Sequence, residues 1–176
     1  MSGNGRFLAR VTGKVKGNVT LRKEQYRVSE NAEERLKLAR DFILGKVYNS
    51  RWILERAVRD YSLRLDAENI KVKSEILYQS LKNIRTCETS SRLLGLEGEA
   101  ASVYFSVFDD LILQQKEEFY FHGRNKRPPL DPVNAMLSFS YSLLAGMCGA
   151  ALEAVGLDAY AGFYHTDRPG RISLAL

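Results

Sequence analysis

The chain has 176 residues, 45% of them hydrophobic and 27% charged, with 26 Lys and Arg against 21 Asp and Glu for a formal net charge of +5. A chain this long buries a sizeable core without disulfide or metal staples, so a small disulfide scaffold and a disordered chain are both excluded, and the surplus of cations favours polyanionic partners. Cys87 and Cys148 stand far apart, with no C-x-x-C pair and only two histidines in the chain, which supports neither a disulfide framework nor a zinc finger and fits a reducing, cytoplasmic setting.

The charge is unevenly spread. Residues 1–90 hold 19 Lys and Arg against 11 acids, and residues 91–176 hold 7 against 10. In the densest stretch, Arg6, Arg10, Lys14, Lys16, Arg22, Lys23 and Arg27 face a single acid, Glu24. Two readings stand side by side: a surface that neutralises nucleic-acid phosphates, and a charged edge strand guarded against aggregation. Residues 6–11 and 18–21 flank Gly13-Lys-Val-Lys-Gly17 and read as a short hairpin or two edge strands. The first residues lack the apolar core of a signal peptide.

Helical periodicity follows. Asn31 with Glu34 offers a capping signal, and Leu36, Ala39, Ile43, Val47, Leu54, Val58 and Leu65 recur at spacings of three, four or seven. This predicts one very long helix, or two broken near Tyr48-Asn49-Ser50. Asp66-Ala-Glu-Asn69 punctuates, and Ile70 to Ile84 predicts a helix with Ile76, Leu77, Leu81 and Ile84 inward. Another is expected from about Ser91 to Gln114. Three prolines within five residues then forbid helix in the basic connector His122–Pro132. The segment Val133 to Leu152 carries no charge and reaches the length of a membrane span, but its Asn134, Ser138, Ser140, Tyr141 and Ser142 among small residues read better as a buried central helix. Gly156 is placed to end it at the C′ position. The apolar run Arg171–Leu176, together with the isolated strand pair, leads to the expectation that the polypeptide is a piece of a longer one.

Two residues stand out chemically. On the helix expected at 91–114, Leu94, Ala101, Tyr104, Phe108 and Leu111 form the apolar stripe, and by spacing Glu97 belongs to it. A carboxylate on a buried face must meet a cation, a donor or a metal, or else take up a proton; an ion pair with an arginine is the bland alternative. His165 lies in a non-helical stretch, followed by Arg168 and Arg171, which suit phosphate; a histidine here is structural, a metal ligand, or an acid or base near neutral pH. Carboxylate, imidazole and nearby arginine together suit metal-assisted phosphodiester chemistry.

The stretch Arg92-Leu-Leu-Gly-Leu-Glu97-Gly-Glu-Ala-Ala-Ser-Val-Tyr104-Phe resembles the E-G-x-A-A-x-x-Y signature of the CRISPR adaptation integrases. Gly45-Lys46-Val-Tyr-Asn49, Arg127-Pro-Pro-Leu-Asp131-Pro-Val-Asn134 through Tyr141, and Gly162-Phe-Tyr-His165 with Arg168, Gly170, Arg171 and Ser173-Leu-Ala-Leu176 agree with it, so the resemblance covers nearly the whole chain. It is nearest to the bacterial type I version, subtype I-C. The resemblance implies a mainly α fold, the multi-helix C-terminal domain of that family, with residues 1–28 a remnant of the N-terminal β domain plus linker, and residues 29–176 a helical catalytic domain incomplete at its C-terminus. It implies a metal-dependent DNA endonuclease and integrase that joins new spacers to the repeat array. Glu97 and His165 would hold Mn²⁺ or Mg²⁺, with a third acidic ligand beyond Leu176. Lys46, Asn49, Tyr104 and Tyr141 would lie near the site or the DNA. Implied partners are a double-stranded prespacer, the CRISPR repeat, a small adaptation partner protein and a second copy of the chain, with no membrane. The alternative is a non-catalytic helical module that binds DNA or a partner, and weak or absent catalysis by these residues alone is expected on either view.

Overall fold

Chain order in the computed structural model, which describes residues 18–165 and 167–176, is α1 (Val19–Glu30), α2 (Ala32–Tyr61), α3 (Ala67–Arg85), α4 (Ser90–Phe105), a 3₁₀ turn at Asp109–Leu111, and α5 (Pro132–Ala154). The fold is mainly α, as expected. Residues 18–21 are not a strand. Asn18 caps α1, its side-chain oxygen accepting from the Leu21 N–H at 3.0 Å, and this satisfied cap outweighs the β preference of Val19 and Thr20. The rest of the expected hairpin, with Arg6, Arg10, Lys14 and Lys16, lies outside the described residues.

Two compact units emerge, one of the described residues up to Arg35 with Phe139–Leu176, the other Leu36–Ser138. In the second unit, α2 is a single unbroken helix through Tyr48-Asn49-Ser50, because Leu36, Ala39, Ile43, Val47 and Leu54 keep one stripe buried across that point. Asp66 caps α3 and Thr89 caps α4. From α3 the core takes Ile70, Ser74, Leu77 and Ile84; Ile76 lies a turn's fraction off that stripe and is exposed. Arg40 on α2 closes the end of α3 by donating to the carbonyls of Arg85 and Cys87 at 3.3 and 3.1 Å.

The fourth helix ends at Phe105 rather than near Gln114. There Tyr104, Phe105, Phe108 and Phe121 gather, with ring centroids 4.9 to 5.7 Å apart, and the chain turns to wrap them. The buried stripe of α4 is Leu93, Leu96 and Ala100, one position earlier than the spacing argument gave, and Leu94 is 58% exposed.

In the first unit, α5 ends where expected. The Gly156 N–H reaches the Glu153 carbonyl at 3.0 Å and the Leu157 N–H reaches that of Leu152 at 2.9 Å, with Gly156 at φ 89°, a paired closure that a side chain would strain. What the helix does not do is bury itself. Phe139, Tyr141, Leu144 and Met147 are exposed, and Met147 keeps 69% of its surface. By length and composition α5 could cross a membrane. The central burial expected of Val133–Leu152 fails because apolar composition says that a helix can be covered, and not by what.

Candidate active site

The side chains at Glu97 are placed by two stripes. On α2, burial of Ile43 and Val47 leaves Lys46 at the rim, and on α4 burial of Leu96 and Ala100 leaves Glu97 at the border of the stripe, its side chain 19% exposed. The Lys46 ammonium donates to Glu97 Oε1. Val47, Ser50, Leu77, Ala100 and Ala101 flank the pair and line with it a small hollow between α2, α3 and α4. Glu97 is therefore a rim residue facing a cation, and the expectation that it lies on the buried face is corrected: the stripe's one-residue shift moves it about 100° toward the edge. Asn49 follows Lys46 by three positions on the same helix and is exposed. Tyr104 packs into the aromatic cluster at the end of α4.

Other cations on this face of α2 and α3 are already engaged. Arg51 donates to Glu55 at 3.1 Å, the buried Ser74 hydroxyl also donates to Glu55, and Arg51 and Lys82 both lie against the Tyr78 ring. Lys46 is the one that meets Glu97.

The basic connector is held by residues that spacing did not single out as functional. Asn134, fully buried, accepts from Arg124 Nη1 at 2.8 Å and the Asn125 N–H at 3.1 Å, and donates to the Gly123 carbonyl at 2.8 Å and Asp131 Oδ2 at 2.6 Å. Asp131 caps α5 through the Asn134 N–H at 2.7 Å. Burial works to raise the Asp131 carboxyl, but the Asn134 and Asn125 hydrogen bonds hold it below the usual carboxylate value. The available signal was Asp131-x-x-Asn134 at the start of an uncharged helix.

In the first unit, His165 lies half-buried on the non-helical stretch after α5, its ring 4.9 Å from that of Tyr164. Arg168, exposed, and Arg171, half-buried, follow on the same stretch, the Arg171 N–H bonding the Arg168 carbonyl at 3.0 Å. Tyr141 lies exposed on α5. Of the basic residues named from the sequence, Lys23 is exposed, whereas Arg22 donates to the Gly156 carbonyl at 2.8 Å and so serves the end of α5. Glu97 and Lys46 thus share one unit, and His165, Arg168 and Arg171 the other.

Taken singly, each in its own unit, the Glu97 carboxylate and the His165 imidazole are donor types that divalent ions accept. The number does not suffice, since among the described residues no three of His, Cys, Asp and Glu are grouped to hold a metal.

Comparison with known proteins agrees across methods of matching. The family model described as CRISPR associated protein Cas1 matches residues 1–176. The chain is 46% identical over 173 residues to the CRISPR-associated endonuclease Cas1 1 of Chlorobaculum tepidum, covering 98% of this chain and 50% of the relative. It is 50% identical over 176 residues to the CRISPR-associated endonuclease Cas1 2 of Rhodospirillum rubrum, again covering 98% and 50%. The chain thus spans about half the length of these curated relatives. Among solved structures it resembles a casposase bound to integration product, with TM-score 0.78 and 29% identity over 99% of this chain and 47% of that one. A chain of a partial Cas6-RT-Cas1–Cas2 complex gives TM-score 0.81 at 26% identity, covering 97% and 49%.

Proposed function

Because this chain belongs to the Cas1 family of CRISPR-associated proteins, we propose that it supplies the helical part of a metal-dependent DNA endonuclease and integrase of CRISPR adaptation, working in the cytoplasm. The observation that carries the reading is Glu97: a carboxylate in a small hollow lined by α2, α3 and α4, with an ammonium already at its oxygen. Glu97 and His165 would hold Mn²⁺ or Mg²⁺, completed by an acidic ligand from outside these residues. When bound, such an ion supplies Lewis acidity at a phosphodiester and lowers the pKa of an attacking water or 3′-hydroxyl. Lys46 and Asn49 would approach a phosphate from α2, and Arg168 and Arg171 would neutralise the strand beside His165. Lys23 would add a phosphate contact, and the sequence offers Arg6, Arg10, Lys14 and Lys16 for the same role. Tyr104 and Tyr141 would align DNA.

The partners proposed are a double-stranded prespacer, the CRISPR repeat, a small adaptation protein and a second copy of this chain. Among the similar structures, the casposase is bound to integration product and the other chain belongs to a complex with Cas2, which supports DNA and a partner protein here. Asn134, Ser138, Ser140, Tyr141 and Ser142 support the reading of α5 as part of a protein domain.

The test is cleavage and strand transfer with Mn²⁺ by these residues within a chain of the relatives' full length. Glu97→Ala and His165→Ala are expected to abolish both reactions; activity surviving in both variants overturns the site. The Lys46–Glu97 ion pair also suits a second reading, a non-catalytic module that binds DNA or a partner through a neutralised rim. That reading predicts DNA binding indifferent to Mn²⁺ and to Glu97→Ala.

A further inference from the structure

We infer that Gln25 is a positioning residue for His165, fixing the stretch that carries the imidazole from a helix nearly 140 residues earlier in the chain. As a statement about the reaction, this rests on the nuclease reading above; as a statement about His165 it stands on geometry within the first unit alone.

The stretch from Leu157 to Leu176 has neither helix nor strand among its described residues, so no backbone ladder sets where His165 stands. Side chains, with a few single backbone bonds, hold it instead. Gln25, on α1, is 4% exposed and spends both ends of its amide on this stretch: Nε2 donates to the Asp158 carbonyl at 2.7 Å and the Ala161 carbonyl at 3.1 Å, and Oε1 accepts from the Asp158 N–H at 2.8 Å. A neighbouring bond helps, the Tyr26 hydroxyl donating to Asp158 Oδ2 at 2.7 Å. From Ala161 the chain has four residues to reach His165, and it is held on the far side too. The Gly162 N–H donates to Asp167 Oδ1 at 3.1 Å, and the Leu174 N–H donates to the Ala159 carbonyl at 3.0 Å. Gly162 is pressed so closely that a Cβ there would meet both the His165 carbonyl oxygen and Ser173 Cβ at 2.7 Å.

An amide is the side chain that can do this. The two carbonyls need donors and the Asp158 N–H needs an acceptor, and burial makes each unmet group costly. Glu in place of Gln keeps the shape and the acceptor but turns an oxygen toward two carbonyl oxygens.

The experiment uses proton NMR on the 176-residue protein, in which only His122 and His165 contribute imidazole signals and His122→Gln assigns them. Gln25→Met and Gln25→Glu are each expected to shift the His165 resonance as the ring's surroundings loosen. The His122 signal and the far-ultraviolet circular dichroism should stay as they were. Exchange of the Gly162 and Leu174 amide protons should speed up by about tenfold as the stretch loosens. Should loss of helical signal show that a Gln25 variant does not fold, Gly162→Ala approaches from the other side and is expected to displace the same resonance with α1 intact. An unmoved His165 resonance in a folded Gln25 variant, or in Gly162→Ala, overturns the proposal. Neither DNA nor metal is involved, so this outcome is separate from the nuclease reading, which fails instead if cleavage survives Glu97→Ala and His165→Ala.

Discussion

The Lys46 ammonium donates to Glu97 Oε1, tying the middle of α2 to the middle of α4 by a base and an acid 51 positions apart. Lys46 keeps 52% of its side chain in solvent, so screening limits what the pair contributes to stability to about 1 kcal/mol or less. Lys46→Met is therefore expected to change the unfolding free energy in urea by less than about 1 kcal/mol. A loss of several kcal/mol would show that Glu97 is left as an uncompensated buried charge, contrary to its rim position.

Cleavage should respond to the same region very differently. Within a chain of the relatives' length, Glu97→Ala and His165→Ala are each expected to reduce Mn²⁺-dependent cleavage by at least about 100-fold, and the double variant to be no slower than the worse single one, because ligands of one ion act as a unit. Rates measured under single turnover decide this. Multiplying losses would mean that the two residues act separately.

Asn134 makes four hydrogen bonds with its side chain from a fully buried position. Asn134→Ala strands the Asn125 N–H and the Gly123 carbonyl, and is expected to cost about 2 to 4 kcal/mol, at the upper end of single substitutions. Equilibrium unfolding monitored by circular dichroism measures it. A cost below about 0.5 kcal/mol, the ordinary range for surface changes, would mean that the connector is not anchored there.

Acid should loosen the same anchor. The folded-state pKa of Asp131 lies below its ordinary value of 3.8, so the unfolded chain binds the proton more readily and this group's contribution to stability is present above about pH 4. It is lost as pH falls through the lowered folded value. Asp131→Asn, which keeps a capping oxygen without the charge, is expected to flatten the slope of stability against pH below that point; an unchanged slope would assign the acid sensitivity elsewhere.

The exposure of α5 can be checked by contrast. Met147→Ser and Leu144→Ser, on exposed positions, are expected to change stability by no more than about 0.5 kcal/mol, whereas Leu54→Ala or Leu77→Ala, fully buried, should each cost about 2 to 5 kcal/mol. Equal costs for the two sets would restore the buried central helix that composition alone suggested.

The helices were legible where periodicity is long and capping is local. Leu36, Ala39, Ile43, Val47 and Leu54 were read from spacing and are buried, and Asn31 accepts from the Glu33 and Glu34 N–H groups at 3.0 and 3.1 Å as its position implied. Asn18 was misread because Val19 and Thr20 favour strands while the cap favours a helix, and the cap prevailed. The α4 stripe was misread by one residue because that helix is apolar on several sides, so that two stripes compete and only the neighbours choose. Glu97 is marked by residue type and motif alone, whatever surrounds it. Gln25 was not identified at all, since nothing in a single glutamine on a basic helix signals carbonyls more than 130 positions away.

By itself, then, the sequence determined that α2, α3, α4 and α5 are helical, where most of these begin, and which residues could carry chemistry, because those properties are set within a few residues along the chain; it did not reveal α1 or the early end of α4. The tertiary structure decided what each face meets: that Lys46 comes to Glu97, that Asn134 gathers the connector, that Gln25 holds the stretch before His165, and that α5 stands open. Such pairings join residues far apart in sequence, and they follow from how whole stripes pack, which local spacing cannot encode.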